Sequence, residues 1–301
     1  MAKENIIAFS QAHAEPEWLQ VRRQTAFDKI SELKLPLIQR VKLDRWNFGS
    51  NDITESLDSS NVPDFTNLGE NPKLIQVGTT TVFQQLSPDL ANKGVIFTDF
   101  YSALEEIPEI IEQYFGTALP FDEDKLTAYH TAYFNSAAVL YVPDNVEVNV
   151  PVEGLFYQDS DEAVPFNKHV LIIVGKHAKL SYLERFESLG KDSVKNTANI
   201  AVEVIALEGA QVKFSAIDRL GSNLTTFISR RGRLNKNAQI DWNLGVMNEG
   251  NVVADFDSDL VGEGSHAELK AVAISSGKQI QGIDTRVTNY APHSIGHILQ
   301  H

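Results

Sequence analysis

The 301-residue sequence contains no cysteine. This excludes a disulfide framework, a thiolate zinc site, iron–sulfur ligation by cysteine and a cysteine nucleophile for this chain itself. A chain without cysteine also suits a reducing compartment, so we expect a cytoplasmic protein. Apolar runs stay well below the roughly 18–20 residues that a membrane span needs. The start, Met1-Ala2-Lys3-Glu4-Asn5, lacks the apolar core of a signal peptide, and we predict no membrane partner.

Basic residues are also scarce, with 26 Lys and Arg against 40 Asp and Glu, which gives a net charge of −14. Such a chain repels a phosphate backbone unless it carries a local basic patch. The two candidates, Arg22-Arg23 and Arg230-Arg231-Gly232-Arg233, are short and are interpreted as solvated or ion-paired surfaces. The sequence also lacks a Gly-x-x-x-x-Gly-Lys-Ser/Thr loop and a Gly-x-Ser-x-Gly elbow. We therefore predict no nucleic-acid partner and no ATP hydrolysis by this chain.

Residues 1–134 have the pattern of an α-rich region. We predict one helix that ends at Pro36, a second block that begins at a Ser102-x-x-Glu105 capping box and is split by Pro108, and a third helix from about Asp122 to Phe134. Residues 49–73 are crowded with Gly, Asn, Asp, Ser and Pro, which is typical of a linker or mobile loop.

From residue 135 onward, short β-rich runs replace the helical periodicity. A turn followed by a small residue and an alternating strand recurs at Val146, Ala178, Ala210, Ala238 and Ala267. The spacings of 32, 32, 28 and 29 residues favour a β-solenoid. An ordinary antiparallel sandwich with regular hairpins is the alternative.

The last residues, Ile295–His301, are still strand-like. A solenoid whose last coil is not capped exposes an unpaired edge. We therefore expect the sequence either to be a fragment or to have this edge covered by a partner, and a homodimer through the open β-helix is one such arrangement.

Several segments, taken in order, resemble the SufB/SufD family of the SUF iron–sulfur cluster assembly system. The Glu15-Pro16-Glu17-Trp18-Leu19 segment is similar to the start of the family's N-terminal helix, and Lys42–Phe48 to the segment that follows it in Gram-positive members. Tyr141-Val142-Pro143-Asp144-Asn145-Val146 resembles the entry to the family's β-helix, and His169–Gly175 resembles one of its core coils.

The resemblance implies an N-terminal helical region, a right-handed parallel β-helix and a C-terminal helical region. We accordingly expect a mainly β protein with an N-terminal α-rich region, residues 1–134, and a β-helix core, residues 135–301, cut short before the C-terminal region. The family's late Ser/Cys-His-Gly-Ala motif has no counterpart in this sequence, so its roles are not transferred. The implied function is a non-catalytic scaffold subunit acting with SufB-like and SufC-like subunits. The complex handles the iron–sulfur cluster, and we expect no cofactor on this chain.

Asp255, Asp257 and Asp259 alternate, so one face of a strand would present three carboxylates. Such a ladder could bind Ca²⁺ or supply the acid and base of a β-helix carbohydrate-active enzyme. The alternative is a solvated outer face of an acidic protein. A simple structural or adhesive solenoid is a third possible function.

His293, His297 and His301 are spaced by four and would share one face of a strand. Imidazole suits transition metals, but strand residues four apart lie about 13 Å from one another. We interpret them as structural or exposed histidines, with His293 and His297 kept as weak metal candidates. His169, His177 and His266 are expected near turns of different coils.

Overall fold

Two long, mostly parallel sheets dominate the computed structural model, which describes residues 2–47, 49, 52–56, 63 and 68–301. The helices are α1 (Ala2–Ala12), α2 (Glu17–Lys29), α3 (Pro88–Asn92), α4 (Phe100–Glu106), α5 (Pro108–Tyr114) and α6 (Lys125–Tyr133). The strands are β1 (Lys73–Val77), β2 (Thr80–Gln85), β3 (Ile96–Asp99), β4 (Ser136–Val142), β5 (Val152–Asp159), β6 (Lys168–Val174), β7 (Lys179–Leu189), β8 (Asn196–Ala206), β9 (Gln211–Arg219), β10 (Leu224–Leu234), β11 (Gln239–Val246), β12 (Asn251–Leu260), β13 (His266–Ala273), β14 (Gln281–Asn289) and β15 (Ile295–Gln300).

From β4 onward the chain forms a β-solenoid, which confirms the predicted fold class. Odd-numbered strands follow one another in sheet A, and even-numbered strands follow one another in sheet B. Each of these neighbours pairs in parallel, so two successive strands complete one of about six turns. Antiparallel pairing occurs at the other end, where β2 joins β1 and β3 joins β4.

The two sheets differ in burial, and their sequences explain why. β9 in sheet A alternates, with Val212, Phe214 and Ala216 facing the core and Gln211, Lys213 and Arg219 facing solvent. β6 in sheet B is buried at all seven positions, as its continuous run Val170–Val174 suggests. Sheet B therefore has a second buried face outside the solenoid.

The N-terminal region covers that outer face. A cluster of α2, α4 and α5 residues, including Leu19, Phe100 and Ile111, packs against Leu171, Ile173 and Ile205 of sheet B. A second cluster places Ile38 and Leu43 against Phe227 and Val253. The strands β1–β3 also extend the two sheets, so this region joins the solenoid both by packing and by strand pairing.

One turn repeats in every coil from β4 onward. A residue with positive φ precedes a small or β-branched residue, and in every coil but the last it donates its backbone N–H to a carbonyl of the following coil. The stacked residues with positive φ are Asn145, His177, Gly209, Asn237, Gly264 and His293. Asn and Gly tolerate this left-handed conformation best, which explains most of the repeat. The register makes Ser265, not Ala267, the partner of Ala238, so the last predicted repeat is shifted by two residues.

The helix boundaries differ in part from those predicted. Pro108 separates α4 from α5 as expected. The expected capping box at Ser102 is wrong, because Asp99 caps α4 by accepting from the N–H groups of Tyr101 and Ser102. The helix expected to reach Pro36 ends at Lys29. In the predicted loop 49–73, residues 52–56 and 68–72 have neither helix nor strand, whereas residues 50–51, 57–62 and 64–67 lie outside the described part.

The helices of the described residues are too short or too polar to cross a membrane.

Candidate functional site

The predicted aspartate ladder lies on the outer face of sheet B. Asp255 and Asp257 are buried, with 8% and 4% of their surface exposed, whereas Asp259 is half-buried. The interpretation of this ladder as a solvated face is therefore wrong for the first two carboxylates. The reason is long-range, because Glu123 lies against this face immediately before α6.

Arg231 fills the space between these carboxylates. Its guanidinium donates to Asp255 over 2.6 Å, to Glu123 over 2.8 Å and also to Asp257. Arg286 from β14 contacts Asp257 from the solvent side. We call Glu123, Asp255, Asp257, Arg231 and Arg286 the outer cluster. In the described part of the chain, its three carboxylates are the one group of three or more potential metal ligands that lie within 4.8 Å of one another.

The electrostatics of the outer cluster follow from burial. Three carboxylates face two guanidinium groups, so one negative charge is uncompensated when all are ionised. Burial raises the pKa of Asp255 to about 7, and Arg231 opposes that shift. Burial also raises the pKa of Asp257. Because Arg231 occupies the ligand oxygens, the cluster acts as an ion-pair network that joins the N-terminal region to the solenoid.

A pair of glycosidase carboxylates needs room for a sugar between or beside them. Asp255 and Asp257 instead contact arginine side chains and lie beneath Glu123. This arrangement favours neither of the chemistries that the sequence suggested for the ladder.

Of the three terminal histidines, His293 does not lie on the expected strand face, whereas His301 continues the pairing of β15 with β13 and has the same parity as His297. His293 lies in the positive-φ turn before β15, His297 lies within the strand and His301 follows it. His297 contacts His266 of the neighbouring strand, with a distance of 5.7 Å between the two ring centroids. His177 lies in a turn as expected, whereas His169 lies within β6 and is buried.

Two buried histidines form a site that the sequence did not reveal. His130 of α6 and His169 of β6 face each other, with 3.0 Å between His130 Nε2 and His169 Nδ1. His130 Nδ1 contacts the Asn199 carbonyl at 3.2 Å, and His169 Nε2 lies 3.1 Å from Glu203 Oε1. This last contact is close but not aligned as a hydrogen bond. Burial, followed by the neighbouring His169, lowers the pKa of His130 well below its ordinary value.

The loop after α5 surrounds the carboxyl group of Glu203. Its two oxygens accept the backbone N–H groups of Gly116, Ala118 and Leu119 at 2.7–3.0 Å. Gly116 has a φ of +73°, and a β-carbon there would lie 3.1 Å from the Arg22 guanidinium. A glycine is therefore required for the loop to wrap around the carboxylate.

The solenoid interior holds a second ion-pair network, which we call the inner cluster. Arg230 donates to Asp218 at 2.7 and 2.8 Å and to Glu184 at 2.8 and 3.2 Å. All three side chains are at most 1% exposed. Burial raises the pKa of Glu184 to about 7. Arg230 and Arg231 are thus committed to internal ion pairs rather than to an open basic patch.

Comparison with known proteins shows which family the chain resembles. Residues 69–153 match the SufBD protein N-terminal region, and residues 156–301 match the SufBD core domain of SUF system FeS cluster assembly. The iron-sulfur cluster assembly protein SufD of Bacillus subtilis is 34% identical over 99% of this chain and 71% of its own length. The chain belongs to the SufBD family. The resemblance noted in the sequence is therefore confirmed.

More distant SufBD relatives also align with nearly the whole of this chain, which spans only part of their own length. An iron-sulfur cluster assembly SufBD family protein of Staphylococcus saprophyticus is 23% identical, and one of Staphylococcus epidermidis is 24% identical. They align with 97% and 93% of this chain, which spans 66% and 59% of their lengths. As a SufBD protein, the chain is assigned to the iron–sulfur cluster assembly system.

Proposed function

We propose that this SufBD protein is a non-catalytic scaffold subunit that assembles with SufB-like and SufC-like subunits in the cytoplasm. The observation that carries the proposal is the match to the two SufBD family domains together with the 34% identity to a SufD protein. The division into a region 1–134 and a β-helix 135–301 is part of the same proposal. The complex, rather than this chain, would handle the iron–sulfur cluster.

The structure supports a scaffold role through its rigidity and its edge strands. The solenoid core is one continuous apolar cluster that runs from β4 to β13, with Ile283 and Val287 of β14 packed against it. Within the described chain, β14 and β15 each pair with a strand on one side. Ile295, Ile298 and Leu299 of β15 are about half exposed. Unpaired backbone groups beside apolar side chains favour pairing with another chain.

Co-expression with the SufB-like and SufC-like proteins of the same organism tests the proposal. We expect the three proteins to copurify and the complex, not the isolated chain, to contain iron. Ile298→Asp should weaken the copurification, whereas Val21→Asp, at a similarly exposed position of α2, should leave it unchanged. Failure of the chain to join either subunit would contradict the proposal.

A homodimer through the same strands is the second arrangement. Light scattering of the isolated protein at micromolar concentration distinguishes it from a monomer. A mass near 67 kDa, about twice the 33.4 kDa of one chain, would favour the homodimer. Ile298→Asp should then restore the monomer, whereas Val21→Asp should not.

A further inference from the structure

Lys168, the first residue of β6, is a lysine buried at the N-terminal end of the solenoid. Its side chain has no exposed surface, and the ring centroids of Phe156 and Phe166 lie 5.4 and 5.5 Å from its Nζ. Burial lowers the pKa of Lys168 to about 7, and among the described residues no carboxylate opposes that shift. About half of the molecules therefore hold a neutral amine here at pH 7.

Three oxygen atoms surround this amine, and two of them can only accept. Lys168 Nζ lies 2.9 Å from Gln76 Oε1 and 3.2 Å from the Gly78 carbonyl oxygen. The Gln76 amide is oriented by its nitrogen, which donates to the Ala137 carbonyl at 3.3 Å. The third oxygen is the Ser136 hydroxyl, which is in direct contact with Nζ. A neutral amine has two N–H donors and one lone pair, so the two carbonyl oxygens accept the donors and the lone pair faces the Ser136 hydroxyl.

Ser136 also lines a small polar cavity where the N-terminal region meets β1 and β4. The cavity has a volume of about 230 Å³, and Gln76, Thr81, Glu55 and Asp99 are among its other lining residues. At about 30 Å³ for each water molecule, it has room for roughly seven, which matches a short acyl group. The carboxylates of Glu55 and Asp99, in a chain with a net charge of −14, disfavour an anionic ligand.

The other titratable groups of the cavity wall have partners of their own. His13 Nε2 lies 3.0 Å from Glu55 Oε1, and His13 Nδ1 lies 2.9 Å from a backbone carbonyl oxygen. Asp99 caps α4, and the Tyr101 hydroxyl donates to Glu15 at 3.0 Å. Among the described residues, the Lys168 amine is therefore the base in contact with the Ser136 hydroxyl.

We propose that Ser136 is an acyl-acceptor site, with Lys168 as its base and a small uncharged activated ester as the acyl donor. Ser136 Oγ forms a bond to the carbonyl carbon of the ester, and the bond from that carbon to the leaving oxygen breaks. The hydroxyl proton passes to Lys168 Nζ and from there to the leaving oxygen. A serine with a neutral lysine as its base is an established variant of the hydrolase triad. The step places one acyl group on the chain without turnover, so it does not depend on the scaffold function.

Reaction of the whole chain with p-nitrophenyl acetate tests the proposal. We expect one acetyl group per chain, which peptide mass spectrometry should locate on Ser136. The rate of this labelling should rise about tenfold per pH unit below pH 7 and level off above it, because the neutral amine of Lys168 is the base. No acetyl group on Ser136, or a rate without an inflection near pH 7, overturns the proposal and leaves Lys168 as a structural donor.

Variants separate the base from a merely structural lysine. Lys168→Met should slow the labelling of Ser136 by about 100-fold or more. Gln76→Glu keeps the size of the side chain and places a carboxylate beside Nζ, so the inflection should move up by about one pH unit or more. His13→Gln should leave the inflection in place, and Ser222→Ala, at an exposed serine, should leave the labelling unchanged. An inflection that moves in His13→Gln but not in Gln76→Glu would assign the base to His13 and overturn the proposal.

Discussion

Strand β10 places two consecutive arginines in two different kinds of buried environment. Arg230 points into the solenoid and forms the inner cluster, while Arg231 points outward and forms the outer cluster beneath the N-terminal region. In both clusters the carboxylates outnumber the guanidinium groups by one, two against one inside and three against two outside. In both, burial raises the pKa of one carboxylate to about 7, that of Glu184 inside and that of Asp255 outside.

The difference between the clusters lies in what they connect. The inner cluster joins β7, β9 and β10, and Phe186, Phe214 and Phe256 surround its guanidinium at 5.6–5.9 Å. The outer cluster joins two sheet strands to Glu123, which is remote in sequence, and to Arg286, whose side chain is 55% exposed. We infer that the inner cluster contributes to the stability of the solenoid itself, whereas the outer cluster fixes the N-terminal region on the solenoid.

The largest expected effect comes from Arg230→Met. The change leaves Glu184 and Asp218 buried without their cation, and breaking a buried ion pair in this way costs about 3–5 kcal/mol. Urea unfolding should show that loss for the whole solenoid. Replacing all three residues together, with Glu184→Leu, Asp218→Leu and Arg230→Met, should recover most of it, because the uncompensated charges are then absent.

A smaller effect is expected from Arg231→Met, about 2 kcal/mol. Arg286 still faces Asp257, and Asp255 can take up a proton, so the remaining charge is partly compensated. Hydrogen exchange should increase in residues 120–126 more than in β8 or β10. A uniform increase across the solenoid would contradict the distinction between the two clusters.

The sequence predicted the coils of the solenoid better than it predicted the contacts on the outer face of sheet B. The spacing of small residues located the coils, and the alternation of Asp255, Asp257 and Asp259 correctly placed them on one strand face. Both are local properties of a strand and its turn. The burial of the ladder depends on Glu123, more than a hundred residues earlier, and a single sequence contains no direct signal for that contact.

The histidine pair was missed for the same reason. His130 lies in a helix and His169 in a strand, 39 residues apart, and their common partner strand β8 comes later still. One signal was available, since His169 precedes the run Val170–Val174 that indicates a strand buried on both faces. A histidine beginning such a strand must find polar partners in a covering layer.

The pH dependence of stability sharpens the comparison further. The folded-state pKa of Asp255 is raised to about 7, whereas the pKa of an aspartate in the unfolded chain is about 4. Such a group stabilises the folded state fully below pH 4, and this contribution is lost as the pH rises through 7. Asp255→Asn removes one such group. The slope of the unfolding free energy against pH should therefore become smaller between pH 4 and 7, by at most about 1.4 kcal/mol per pH unit.

Glu184→Gln is the matched change in the inner cluster and should reduce the same slope over the same pH interval. Urea titrations at several pH values check both variants. One contrary result is a slope of the unfolding free energy against pH that is unchanged in Asp255→Asn but smaller in Glu184→Gln. That result would mean that only the inner cluster retains a proton near neutral pH.

The smallest effect is expected from Arg286→Gln, although Arg286 contacts the same carboxylate as Arg231. More than half of the Arg286 side chain is exposed, so water and salt screen its contact with Asp257. Exposed ion pairs contribute about 0–1 kcal/mol, and 0.5 M NaCl should remove most of that. Arg219→Gln is the control, because Arg219 is also a mostly exposed arginine, on the opposite sheet. A loss as large as that of Arg231→Met would show that Arg286, not Arg231, is the cation that neutralises the outer cluster.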